Sequence, residues 1–126
     1  MILVVDASAI AAVLYQEPEG ETIRAHIRGE TMIAPQLIDY ELASASLRKM
    51  RKTGKTAEIL GLLAAVEALP IKRVAVPPLE VATLAMQTGL SAYDAAYLWL
   101  AMSADAELVT LDNHLARINE EWRESR

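Results

Sequence analysis

The chain has 126 residues, of which 53% are hydrophobic, with a formal net charge of −5 and a mean hydropathy of +0.21. That length and apolar content fit one folded domain with a real core and exclude a disordered tail. The absence of Cys excludes disulfides, zinc–thiolate sites and thiol nucleophiles and fits a reducing, cytoplasmic setting, while the absence of Phe leaves the core to Leu, Ile, Val, Ala and Met.

The chain opens on Ile2–Val5, a continuous β-branched and Leu run of the kind buried on both faces of a sheet. Asp6 interrupts the run and no basic segment precedes it, so a strand is expected and not a signal peptide. A short helix follows over 7–15, ended by Glu17-Pro18-Glu19-Gly20, and an amphipathic helix over 21–28, closed by Gly29. Thr31–Ala34 reads as a second strand, stopped at Pro35. The long helix over 37–52 ends at Thr53-Gly54, and another covers 56–68, ending before Pro70. Lys72–Val76 is a weak third strand, followed by Pro77-Pro78, a helix over 79–88 and a break at Gly89. Ser91 is a natural N-cap for a helix to about Ala104. Glu107–Thr110 is the fourth strand and 113–121 the final helix. The longest apolar stretch, Ala95–Met102, falls far short of the ~20 residues of a membrane helix, so no membrane association is expected.

Strands alternating with helices predict an α/β fold, a three-layer α/β/α sandwich around a parallel sheet of about four strands, over one domain spanning 1–126. Sites in such folds form beyond the carboxyl ends of the strands, where Asp6 and Asp112 fall. Two further acids, Glu41 and Asp94, lie in helices beside apolar residues. A carboxylate in such surroundings is costly unless paired, protonated or bound to a cation.

Chain length lets the four meet. About ten helical residues beyond Asp94 climb roughly 15 Å at 1.5 Å each. The strand from Glu107 to Leu111 runs back about 16 Å at ~3.3 Å each. Asp94 and Asp112 therefore return to one end of the sheet, and Asp6 joins them if its strand lies parallel and adjacent to the last. Taken singly, Asp6 and Asp112 also read as helix N-caps, Asp94 as a complement to the helix dipole and Glu41 as a solvated side chain. Asp39 competes with Glu41. Two positions apart on a helix, they take nearly opposite faces, and Glu41 shares its side with Leu37, Ile38 and Ala45 while Asp39 looks solvent-facing. Four close carboxylates repel one another, so at least one is expected to hold its proton unusually tightly when no metal is bound.

The ordered set Val4-Val5-Asp6-Ala7-Ser8, Glu41 early in a long helix, Tyr93-Asp94-Ala95 and Val109-Thr110-Leu111-Asp112 resembles the PIN-domain nucleases. Within them it is most similar to the small bacterial and archaeal VapC-type toxins, over residues 2 to about 114. The resemblance implies a PIN-like domain with Asp6, Glu41, Asp94 and Asp112 as catalytic, metal-binding residues for one or two Mg²⁺ or Mn²⁺ ions. It implies an endoribonuclease acting on single-stranded or structured RNA, with Ser8 and Thr110 as hydroxyls that orient the carboxylates. It also implies a homodimer and inhibition by a cognate antitoxin, a small DNA-binding protein that covers the acidic groove. Family members commonly finish with another short apolar strand, and residues 118–126 offer none.

Other features carry two readings each. The basic run Arg48, Lys49, Arg51, Lys52 and Lys55 is a solvated helix end favourable to the dipole or a track for the RNA backbone, with Arg48, Arg51 and Lys52 as contacts. Tyr40 and Tyr93 pack or stack bases, Tyr93 being the RNA-contact candidate. Trp99 belongs to the core or to a dimer surface, His26 to a surface helix, and His114 lies near enough to Asp112 to meet substrate. A metal-dependent phosphohydrolase of the haloacid-dehalogenase type would need a second Asp where Ser8 stands. A phospho-accepting receiver domain would need a Lys near the last strand, and none follows Lys72. A catalytically weak PIN-like interaction module would be expected to lack one or more of the acids.

Overall fold

In the computed structural model, which describes residues 1–126, the run Ile2–Val5 forms the strand β1, and Leu3, Val4 and Val5 are fully buried. Such complete burial requires a central strand covered on both faces. β1 indeed has a neighbour on each side: β2 (Thr31–Pro35) and β4 (Glu107–Val109), both parallel to it. β3 (Ile71–Val74) pairs with β2, and the sheet order is β3-β2-β1-β4. The register sets Val5 opposite Val109, and the Asp6 backbone N–H donates to the Val109 carbonyl at 3.2 Å.

Six α-helices fill the crossovers and a seventh follows the last strand. α1 (Ala7–Leu14) and α2 (Gly20–Ile27) link β1 to β2, and α3 (Ile38–Thr53) and α4 (Thr56–Ala64) link β2 to β3. α5 (Pro78–Thr88) and α6 (Ala92–Ala104) return the chain across the sheet to β4, and α7 (Asn113–Glu124) follows it. Parallel crossovers are right-handed, so the first two place their helices on one face, and the third, which runs the opposite way past β1, places its own on the other. The packing agrees: α1 lies against α2 and α3, α3 against α4, and α6 against α5, α7 and the strands β1, β2 and β4. The result is a three-layer α/β/α sandwich with a topological switch point between β1 and β4, where sites form in such sheets.

Boundaries moved for identifiable reasons. The helix predicted over 56–68 changes at Ala65 to a tighter 3₁₀ turn, Ala65–Ala68. The third strand lies earlier than predicted, because its last ladder bond joins Gln36 N–H to the Val74 carbonyl and Pro78 already opens α5. β4 stops before Thr110, whose hydroxyl is turned toward Asp6. Gly89 ends α5 in the left-handed conformation at φ 76°. No strand follows β4, so β4 is an edge, and the chain finishes as helix. No helix is long and apolar enough to cross a membrane.

One close approach locks α2 onto α1. A Cβ at Gly20 would stand 2.3 Å from the Ala12 carbonyl oxygen, whereas one at Gly61, inside α4, would meet nothing within 4 Å. Gly20→Ala is therefore expected to destabilise the fold by about 1–3 kcal/mol through overpacking. Gly61→Ala should be neutral or stabilise by up to about 1 kcal/mol through helix propensity. Thermal melts of the two variants side by side check the difference.

Candidate active site

Asp6 is the first residue past β1, and its side chain caps α1 by accepting from the Ala9 backbone N–H at 3.0 Å. It is only 5% exposed. The Ser8 hydroxyl donates to its Oδ1 at 2.7 Å, and the Thr110 hydroxyl donates to its Oδ2. Both hydroxyls also reach the loop after β4: Ser8 Oγ accepts from Leu111 N–H at 2.9 Å, and Thr110 Oγ1 accepts from Asp112 N–H at 3.0 Å. The carboxyl ends of β1 and β4 are thus laced together through one buried carboxylate. Ser8 and Thr110 both bond the Asp6 carboxylate, and neither bonds the carboxylate of another of the four acids.

Asp112 caps α7, its Oδ1 accepting from Leu115 N–H at 2.8 Å. Asp94 lies in the first turn of α6, whose N-cap Ser91 accepts from the Asp94 backbone N–H at 3.1 Å. Glu41 lies in the first turn of α3, and its Oε1 accepts from the Tyr97 hydroxyl at 2.6 Å. All four acids line one cleft of about 760 Å³, together with Ser8, Tyr97 and Arg48. Asp6 and Asp112 thus each cap a helix and also line the common cleft.

Asp39 stands apart from the cleft, but not as a free solvent-facing acid. It pairs with Arg73 of β3 at 2.9 Å. The helical offset of two residues sends one acid toward β3 and the other into the cleft. Of the basic run, Arg48 alone lines the cleft, with Nη1 donating to Ser44 Oγ at 3.0 Å. Lys49 turns instead toward α1, 5.0 Å from the Tyr15 ring centroid and 3.5 Å from Glu17. Arg51, Lys52 and Tyr93 are exposed and lie outside the cleft lining. Tyr40 is exposed as well, so neither of the flanking tyrosines is packed. Trp99 packs against the core, and His26 pairs with Glu107 at 2.9 Å.

Sequence reasoning missed three contributors to this cleft. Glu17 and Glu19, on the turn between α1 and α2, add two carboxylates to its rim. They carried no signal, since a Glu-Pro-Glu-Gly turn reads as solvated. Tyr97 did carry one: it follows Asp94 by three positions on a helix, hence on the same face.

Burial raises the pKa of Asp6, against the bonds from Thr110, Ser8 and Ala9 and with a smaller contribution from the Asp112 charge. Burial likewise raises Glu41, partly offset by Tyr97 and reinforced by Asp6 and Asp94. Burial raises Asp94 too, followed by the charges of Asp112 and Asp6, while His114 acts the other way. The expectation of a tightly held proton is met at three of the acids. The leading cause is desolvation, with mutual repulsion second.

The donor set is chemically suited to a hard divalent cation, being four carboxylates with no nitrogen or sulfur among them. Glu41 Oε2 and Asp112 Oδ2 are left without a protein donor. As the side chains stand, however, no three of the acidic or imidazole groups converge on a single point close enough to share an ion. Both Asp6 oxygens accept from protein donors, whereas Glu41 and Asp112 have one oxygen each so engaged.

Asp94→Asn is expected to raise the melting temperature of the metal-free protein at neutral pH. With its pKa raised, the folded chain holds the Asp94 proton more tightly than the unfolded chain. Stability then falls as pH rises from the ordinary aspartate value of 3.8 through the raised one, and stays lowered above it. The gain in the variant should accordingly vanish below 3.8. Melting curves of both proteins across pH in the presence of EDTA measure it.

The model of the PIN domain family matches residues 3–121. Ribonuclease VapC3 of Pyrobaculum aerophilum is 35% identical over 123 residues, covering 92% of this chain and 93% of that protein. Ribonuclease VapC9 of Mycobacterium tuberculosis is 32% identical over 117 residues, covering 91% and 89%. The crystal structure of PAE2754 from Pyrobaculum aerophilum superposes with a TM-score of 0.74 at 31% identity, covering 91% of this chain and 82% of that one. The chain belongs to the PIN-domain family, in its VapC-type branch.

Proposed function

We propose that this protein is a Mg²⁺- or Mn²⁺-dependent endoribonuclease, the toxin component of a toxin–antitoxin pair, acting from the cytoplasm. The observation that carries the reading is the convergence of Asp6, Glu41, Asp94 and Asp112 on one cleft at the switch point of a parallel sheet. Similarity to proteins named as VapC ribonucleases supports the substrate class. Asp6, Asp94 and Asp112 would hold one ion, and Glu41 would serve a second ion or the attacking water. A cation held there would supply charge neutralisation at the phosphodiester and a lowered pKa for bound water, the chemistry that in-line displacement needs.

The chain's own groups supply the rest. Ser8 and Thr110 keep the Asp6 oxygens aimed and prevent the buried carboxylate from turning back into the core. Arg48, the one basic side chain in the lining, receives a phosphate next to the scissile one. Arg51, Lys52 and Tyr93, exposed outside the cleft, extend contact along the strand. Six acids around the cleft and the net charge of −5 suit an antitoxin that covers the groove with a basic side chain. The working unit is a homodimer.

RNA cleavage assays with Mg²⁺ or Mn²⁺ test this directly. Activity should vanish in EDTA, and Asp6→Asn and Asp94→Asn should each fall by at least about 100-fold, the scale of losing a main electrostatic contributor to a transition state. Arg48→Ala should raise KM more than it lowers kcat. Cleavage in EDTA, or wild-type rates in both Asn variants, would overturn the reading. Independently of RNA, saturating divalent ion should stabilise the fold by about 2.7 kcal/mol at 100 times its Kd, seen as a rise in melting temperature that Asp94→Asn abolishes.

A further inference from the structure

Tyr97 is the largest fully buried side chain of the protein, at 1% exposure. It lies one helical turn beyond Asp94 on α6. A tyrosine hydroxyl in a core needs a partner, and this one donates to Glu41 Oε1 at 2.6 Å. Glu41 belongs to α3, whose main packing partners are α1 and α4. Helix packing therefore does little to set Glu41 against Asp94, and the bond from Tyr97 bridges their two helices. Tyr97 lines the cleft together with Ala7, the first residue of the helix that Asp6 caps. One phenol thus stands among the elements that carry Asp6, Glu41 and Asp94.

We infer that Tyr97 is a positioning residue that recruits Glu41 into the acidic cluster, holding Oε1 so that Oε2 is presented to the cleft. The inference rests on the reading of the four acids as a metal centre. A free glutamate loses much rotamer freedom when it is fixed, and one already held by a buried phenol binds a cation without that cost. The bond also restricts Glu41 to one free oxygen, so it acts through a single atom and not as a two-oxygen clamp. If Tyr97 were merely a satisfied core residue, loss of its hydroxyl would move stability and leave ion binding alone.

Calorimetric titration of Mn²⁺ into the full chain, with no RNA present, distinguishes the two. Tyr97→Phe keeps the ring and the core volume, and its melting temperature reports folding separately. The expected result is Mn²⁺ binding weakened by about 10-fold, the scale of losing a partner that orients a metal-binding group. In a Glu41→Gln background the same substitution should cause no further loss, because the residue it positions is already disabled. Wild-type affinity in Tyr97→Phe, or an equal loss in both backgrounds, would overturn the inference while leaving the metal centre standing. A wild-type chain that takes up no Mn²⁺ would overturn the metal centre and this inference with it.

Discussion

The parallel pairing of β1 with β4 is the constraint on which the rest of the molecule depends. It closes the sheet on the side opposite β2 and β3, and so forces the third crossover onto the other face. It also brings together two chain segments about a hundred positions apart, each followed by an acid that caps the next helix. The register of Val5 against Val109 decides which side chains meet. A slip of one residue would turn Asp6 toward the opposite face, since neighbouring strand residues alternate. The interlocked bonds of Ser8 and Thr110 make that slip expensive, so the site and the sheet hold each other in place.

The same bonds explain how the chain tolerates a nearly buried carboxylate. Asp6 accepts two hydroxyls and a backbone N–H at a helix start, all of which favour the ionised form. Burial still prevails and lifts its pKa. The cleft is therefore an arrangement in which the metal-free protein is electrostatically uncomfortable at neutral pH, a form of stored cost typical of functional sites. That cost is spread over the caps of α1 and α7 and the first turns of α3 and α6, so each acid is anchored at a helix start.

Much of this is legible in the residue order. The β-branched run at 2–5, the Pro and Gly stops and the Ser91 cap mark elements that form close to where they were expected. Rise per residue was enough to return Asp94 and Asp112 to one edge. The choice of Glu41 over Asp39 rests on the family pattern together with the helical offset, and neither foretells the destination of Asp39, an ion pair with Arg73 of β3. Tyr97 lies in reach of the same arithmetic, three positions past Asp94 on one helix. It is core, and its hydroxyl serves the cleft as well.

Local chemistry, then, was written in the residue order: which segments are strands, which acids follow them, and which hydroxyls sit two residues from those acids. Such properties depend on short-range sterics and hydrogen bonding, which act over a few positions along the chain. The tertiary structure alone decided how the carboxylates are shared out. It tied Glu41 to Tyr97, split the basic run so that Arg48 faces the cleft and Lys49 faces Tyr15, and added Glu17 and Glu19 to the rim. It also made desolvation, more than mutual repulsion, the main cause of the raised pKa values. These outcomes depend on packing between distant segments, and burial is a property of the assembled layers that no local pattern encodes.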